Sequence, residues 1–249
     1  LASVGINERA LARTLASTDR SIQEVELRYQ LGQVSALALE QARAGRTALI
    51  SGQQSLNTSR ENFEIQLKQM IGADLASELT LTALPQVTDE QLEAMNLEED
   101  LAAAKEASYS LYDAKLTLDD AKETFNDAPR NQNSYEYQMA LHQWQAAQYT
   151  YNATVQNFET NFRTLYNQVK DYKQVLDAAR TALAVEESNY AVDQMKYEQG
   201  SISQNALLTA QDDVAAAQKA VDTAAINLFS PYNTYRWAVE YGILNVSAS

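Results

Sequence analysis

A chain of 249 residues with 45% apolar and 21% charged residues can bury a core of ordinary size and is not a disordered tail. Its 19 Lys and Arg against 33 Asp and Glu leave a net charge of -14, which repels phosphate backbones and argues against nucleic-acid binding. No Cys is present, which removes disulfides, thiolate nucleophiles and Cys-type zinc sites together.

Seven Gly and three Pro leave few points at which a regular element could be interrupted, so the expected class is all-α with long helices. No run approaches the roughly 18 apolar residues of a membrane-spanning helix. Glu8, Arg9 and Arg13 stand where a signal peptide needs an apolar stretch.

Residues 28–42 read RYQLGQVSALALEQA, and residues 196–210 repeat the pattern as KYEQGSISQNALLTA. Tyr29/Tyr197, Gly32/Gly200, Ser35/Ser203, Ala38/Ala206, Leu39/Leu207 and Ala42/Ala210 are identical, and Arg28/Lys196 and Val34/Ile202 keep charge or shape. A glycine able to take positive φ at a helix C-terminus, followed three residues later by a serine able to N-cap the next helix, predicts a helix reversal in each copy. After Gly32, Ala42, Leu49, Leu56, Phe63 and Met70 recur every seven residues, with Ala38, Gly45, Gly52 and Ser59 as small companions.

From Gly72 to Asp89 the chain reads as a linker, with Leu79, Leu81 and Leu84 in short alternation, then Pro85, then Thr88 before an acidic first turn. One helix is expected over residues 89–127, using Leu97, Leu101, Ala104, Leu111, Leu118 and Phe125, and ending in a polar loop around Pro129.

The next helix has no stop signal over residues 134–199. Its seam runs Tyr151, Val155, Phe158, Phe162, Leu165, Val169, Tyr172, Leu176, Ala179, Leu183, with Glu186 the first polar break before Tyr190. At 1.5 Å per residue such a helix is roughly 100 Å long and needs a neighbour along its length. Leu207, Ala210, Val214, Ala217, Val221, Ala224 and Leu228 offer that neighbour after Gly200. Pro231 is expected to kink the last helix or restart it as a short C-terminal one. Tyr232, Tyr235, Trp237 and Tyr241 are assigned to packing. The expected division is a first helical hairpin over 1–72, a linker and further helix over 73–133, and a second, longer hairpin over 134–249.

Nothing in the chain points to an enzyme. His142 is the only histidine, which makes a zinc site or a Ser-His-Asp triad improbable. Glu98, Glu99 and Asp100 are consecutive, point in different directions around a helix and read as solvated surface near a positive helix start. Neither GxGxxG nor GxxxxGK[ST] occurs, and neither a cofactor nor a metal is expected.

The RYxxGxxSxxxxxxA pattern, followed by an Ala-, Gln- and Leu-rich heptad helix ending near Met70, Ile71 and Gly72, resembles the TolC-type outer membrane efflux protein family. Residues 196–242 look like that family's second structural repeat, and residues 97–115 like the helix that opens each repeat. The resemblance implies a duct made by three protomers in the cell envelope, at the periplasm and outer membrane. It further implies that the hairpin tips meet a periplasmic membrane fusion (adaptor) protein working with an inner-membrane pump. By the same resemblance Arg28, Tyr29, Gly32, Ser35, Lys196, Tyr197, Gly200 and Ser203 would be the adaptor-facing residues.

The chain departs from the family pattern in three ways. Ala38 and Ala206 stand where many members carry Asp, and residues 126–134 are too short and polar for barrel strands of about 9 to 11 alternating residues. The first repeat is also the shorter one, as in an excised, engineered or naturally barrel-less relative; membrane contact would then lie in parts outside this chain. A structural coiled-coil bundle with no transport role is the alternative.

Overall fold

The computed structural model describes residues 1–77 and 86–244. Among them every regular element is an α-helix: α1 (Ala2–Gln30), α2 (Ala36–Ile71), α3 (Asp89–Glu93), α4 (Leu97–Ala107), α5 (Tyr109–Asp127), α6 (Tyr135–Glu198) and α7 (Gln204–Tyr241). They form two compact units, one of Leu1–Gln86 with Gln174–Asn227 and the other of Val87–Lys173 with Leu228–Ser249. Both α6 and α7 contribute to each. Leu79, Leu81, Leu84 and Pro85 of the expected linker lie outside the described residues.

In the first unit the charged residues report how the helices run. Glu8, Asp19 and Glu26 of α1 meet Arg60, Arg46 and Arg43 of α2 at 3.6, 2.5 and 2.7 Å. On its other side α1 sends Arg9 to Asp222 at 3.2 Å, Arg13 to the Ala215 carbonyl at 3.1 Å and Arg20 to Asp212 of α7. In both series the partner number falls as the α1 number rises, so α1 is antiparallel to α2 and to α7. Most of these groups are well exposed, so each pair contributes about 0 to 1 kcal/mol and mainly sets register.

The heptad seam of α2 is only half realised. Leu49 and Leu56 are half-buried, but Phe63 and Met70 are 45% and 77% exposed, while Lys68 is buried and donates to the Leu75 carbonyl at 2.9 Å. A straight α-helix drifts about 20° per heptad against a strict seven-residue repeat. The alternate seam positions Gly45, Gly52 and Ser59 offer little surface to hold a supercoil, so the inward face passes to Leu67 and Lys68.

The seam of α6 holds throughout. Phe158, Phe162, Leu165, Val169 and Leu176 are buried, and Tyr151, Val155, Tyr172, Ala179 and Leu183 are half-buried. In α7 Ala224 is 4% exposed and Ala217 only half-buried. Ala224→Leu is therefore expected to overpack its surroundings by about 1 to 3 kcal/mol, with a smaller loss for Ala217→Leu, measured by urea unfolding.

The second unit corrects the single helix expected over 89–127, which is three helices. Thr88 and Gln91 close a capping box around α3, Thr88 Oγ1 accepting from the Gln91 amide at 3.3 Å and Gln91 Oε1 from the Thr88 amide at 3.0 Å. Asn96 then caps α4, its Oδ1 accepting from the Glu98 amide at 3.2 Å. Ser108, 2% exposed, leaves the helical region at ψ 110 and opens α5. Asn and Ser side chains compete for backbone amides that would otherwise stay within a helix, and each break falls on one of them.

The Ser108 break has a tertiary partner. Gly242, at φ +63 just past α7, lies so close that a Cβ there would stand 2.3 Å from Ser108 Cα.

Pro231 neither restarts α7 nor sets off a separate short C-terminal helix. The helix continues to Tyr241, with Leu228, Tyr232, Tyr235 and Ala238 all buried on either side of the proline. Packing on that face outweighs the one hydrogen bond that proline removes. Of the four aromatics assigned to packing, Tyr232 and Tyr235 are buried, whereas Trp237 and Tyr241 are 51% and 59% exposed.

Asp100 also departs from the solvated role expected for it. It accepts hydrogen bonds from the Asn96 amide at 2.9 Å and from the Tyr235 hydroxyl, and the Tyr235 ring lies 5.3 Å from that of Phe162. Glu98 meets Arg163 at 3.1 Å and Glu99 is exposed.

Burial first, and then the Asp100 hydrogen bond, push the Tyr235 hydroxyl well above its ordinary value. A pKa raised on folding means the folded chain holds that proton more tightly. Its contribution is complete below the unfolded value of about 10 and is lost as pH rises beyond it. Stability should therefore fall above about pH 10, and Tyr235→Phe should make the fall shallower, as seen by thermal melting across pH 8 to 12.

Candidate functional site

The two repeated stretches fold into the same turn. At the end of α1 the Gly32 amide donates to the Tyr29 carbonyl at 2.9 Å and the Gln33 amide to the Arg28 carbonyl at 2.8 Å. At the end of α6 the Gly200 amide donates to the Tyr197 carbonyl and the Ser201 amide to the Lys196 carbonyl, both at 2.8 Å. This is the paired Schellman closure, which needs a left-handed residue at the glycine position; φ is +69 at Gly32 and +70 at Gly200. The serines then start the return helices, Ser35 Oγ accepting from the Ala38 amide and Ser203 Oγ from the Ala206 amide, each at 3.2 Å.

Backbone geometry thus accounts for Gly and Ser in both copies, but not for Arg28/Lys196 or Tyr29/Tyr197. Arg28 and Lys196 lend the turn only their backbone carbonyls. Their side chains pair along their own helices, Arg28 with Glu24 at 2.5 Å and Lys196 with Asp193 at 2.7 Å. Tyr29 and Tyr197 are 44% and 40% exposed, with no side-chain hydrogen bond among the described residues. Each turn thus presents a cation held by a carboxylate of its own helix beside an exposed phenol.

All eight tip residues lie in the first unit. Among the described residues no hydrogen bond or ion pair joins one tip to the other.

Three features show only in the folded tips, the first being the burial of a pair whose shape the two copies keep. Val34 and Ile202, two residues after each glycine, are half-buried within otherwise exposed turns. Leu31 and Leu37 are 63% and 66% exposed at the first tip, where the second has Gln199 and Asn205. Aligning the two copies reveals both features once the turn is known.

The third is electrostatic. Next to the second tip a groove of about 320 Å³ between α6 and α7 sets Glu186, Asp193 and Asp213 around Lys196. Next to the first tip Arg43 pairs with Glu26 and Glu40, and the Glu26 hydrogen bond raises its already high pKa. The first tip is more apolar and closer to charge balance; the second is more acidic.

No protein-family model and no curated protein sequence matches the chain. Solved structures do. CusC, described with conformational changes accompanying folding and transmembrane channel formation, superposes with a TM-score of 0.66 at 16% identity over 97% of this chain and 74% of its own. The outer membrane protein VceC of Vibrio cholerae gives 0.56 at 15% identity over 97% of this chain and 67% of its own. The outer membrane channel CmeC of Campylobacter jejuni gives 0.53 at 15% identity over 99% and 61%. The chain is thus similar to these proteins nearly end to end while spanning between 61% and 74% of their length.

Proposed function

From the all-helical TolC-type fold that runs through nearly the whole chain, we propose that this protein is the helical portion of an export duct in the cell envelope, docking an adaptor protein through its two hairpin tips. One observation carries the reading: the same Schellman turn is built twice, and each copy shows a cation and a phenol that the turn itself does not require. In this reading residues 1–72 and 134–249 form the two arms of one protomer, and three protomers enclose the conduit. Adaptor and inner-membrane pump supply the partners, and the passage of substrate needs no catalytic group.

Exposed apolar side chains support an assembly larger than one chain. Leu27, Phe63, Ile65, Met70, Val175, Val185 and Met195 of the first unit are all 43% exposed or more, apolar surface that neighbouring protomers would cover in this reading.

Two measurements test the proposal. Light scattering should find a trimer; a monomer at high concentration supports the closed coiled-coil bundle instead. A photoreactive residue at position 29 or 197 should crosslink to the helical hairpin of an adaptor co-expressed from the same genome. The same probe in place of Tyr149, which is 79% exposed in the second unit, should not. Crosslinking from position 149 but not from the tips would remove the docking role.

A further inference from the structure

The second unit holds a cavity of about 390 Å³ where the end of α7 meets α5 and α6. Phe158, 6% exposed, is its buried apolar surface; Tyr109 of α5 and Tyr241 of α7 line it from two elements, joined by Ile243 just beyond α7. Thr154 and Asn161 of α6 supply the polar groups. The Thr154 hydroxyl donates to the Thr150 carbonyl at 2.8 Å and keeps its acceptor lone pairs, while the Asn161 carboxamide makes no hydrogen bond among the described residues.

Two features set this cavity apart. No Asp, Glu, Lys, Arg or His lines it, in a chain of net charge -14. Three other cavities, by contrast, include charged walls: Arg13, Asp212 and Lys219 in one, Glu186 and Lys196 in a second, Asp100 and Arg236 in a third. One edge of the cavity is also set by backbone contact, because Gly242, just past α7, lies against the Ser108 break, where no side chain fits.

An uncharged aromatic cavity of this size suits a molecule of about two fused or linked rings. A charged ligand would find no counter-charge there, and an aliphatic one would leave the ring faces and the free carboxamide unused.

We propose that this cavity is a binding site for small neutral aromatic molecules, with the rings against Phe158, Tyr109 and Tyr241 and a polar substituent on Asn161. The site stands on the geometry of the second unit alone and does not depend on the duct reading.

The test uses the full chain and the neutral dye N-phenyl-1-naphthylamine, whose emission rises in apolar surroundings. Titration should give saturable binding of one dye per chain. The Tyr109→Ala/Tyr241→Ala double variant removes two exposed walls, and Thr154→Trp fills the space from a half-exposed helix position. Each should weaken binding at least tenfold with an unchanged circular dichroism melt. Asn161→Ala should weaken it severalfold for the amine while leaving naphthalene itself unaffected, a split that loss of apolar area alone would not produce. Absence of saturable binding, or an affinity within twofold of wild type in both the double variant and Thr154→Trp, would overturn the proposal; the second result would place the dye on the exposed apolar surface instead. Should Thr154→Trp melt early, the double variant decides.

Discussion

Gly242→Ala is expected to be among the most damaging single substitutions in the chain, although it adds one carbon. Two effects combine. The residue sits at φ +63, where a Cβ costs about 1 to 2 kcal/mol. The added atom would also stand 2.3 Å from Ser108 Cα, 2.4 Å from Ser108 N and 2.5 Å from the Ala107 carbonyl carbon. These are backbone atoms, so no rotamer change relieves the contact; either α7 lifts away or the α4–α5 break moves. A loss above about 3 kcal/mol is expected, at the high end for point substitutions.

Gly200→Ala provides the internal control. Its φ of +70 is nearly the same, but nothing lies within 4 Å of the new Cβ, so only the conformational cost of about 1 to 2 kcal/mol applies. Urea unfolding of the two variants side by side separates backbone strain from close approach. Equal losses would show that the Gly242–Ser108 contact carries no weight.

Phe162→Ala should be comparably severe for a different reason. Phe162 is fully buried, its ring 5.3 Å from that of Tyr235, and Leu165, Val169 and Leu228 are buried in the same unit. Truncation removes the transfer energy of the ring and leaves a cavity whose surroundings relax only in part, costing about 3 to 5 kcal/mol. The loss should also reach Tyr235. With its ring support gone, the Asp100 hydrogen bond loosens, and the decline in stability above about pH 10 should become shallower, as in Tyr235→Phe. A loss below about 1 kcal/mol on urea unfolding, with the alkaline decline unchanged, would contradict the assignment of Phe162 to the core. Phe63→Ala, at 45% exposure in α2, should cost far less despite its equivalent place in the expected heptad pattern.

The sequence by itself determined the class, the two reversals and the α6 seam. These depend on local chemistry: helix-forming composition, a glycine with free access to positive φ, a serine three residues on, and Phe, Leu and Val filling three-four positions. The same information was insufficient wherever two distant segments settled the outcome between them. Ser108 offers only the side-chain competition that any serine can, and where it breaks the helix Gly242 lies against its backbone. Pro231 should interrupt a helix, but buried neighbours on both sides keep α7 whole. Asp100 reads as surface until Tyr235, far along the chain, donates to it.

The candidate tips divide the same way. Gly32, Ser35, Gly200 and Ser203 follow from turn chemistry already present in the repeat. The exposure of the Tyr29 and Tyr197 phenols and the contrast between Leu31 and Gln199 depend instead on which side chains the folded turn leaves outward. Local conformational preference is written residue by residue, whereas burial and close approach belong to pairs of residues, and only tertiary packing decides which pairs meet.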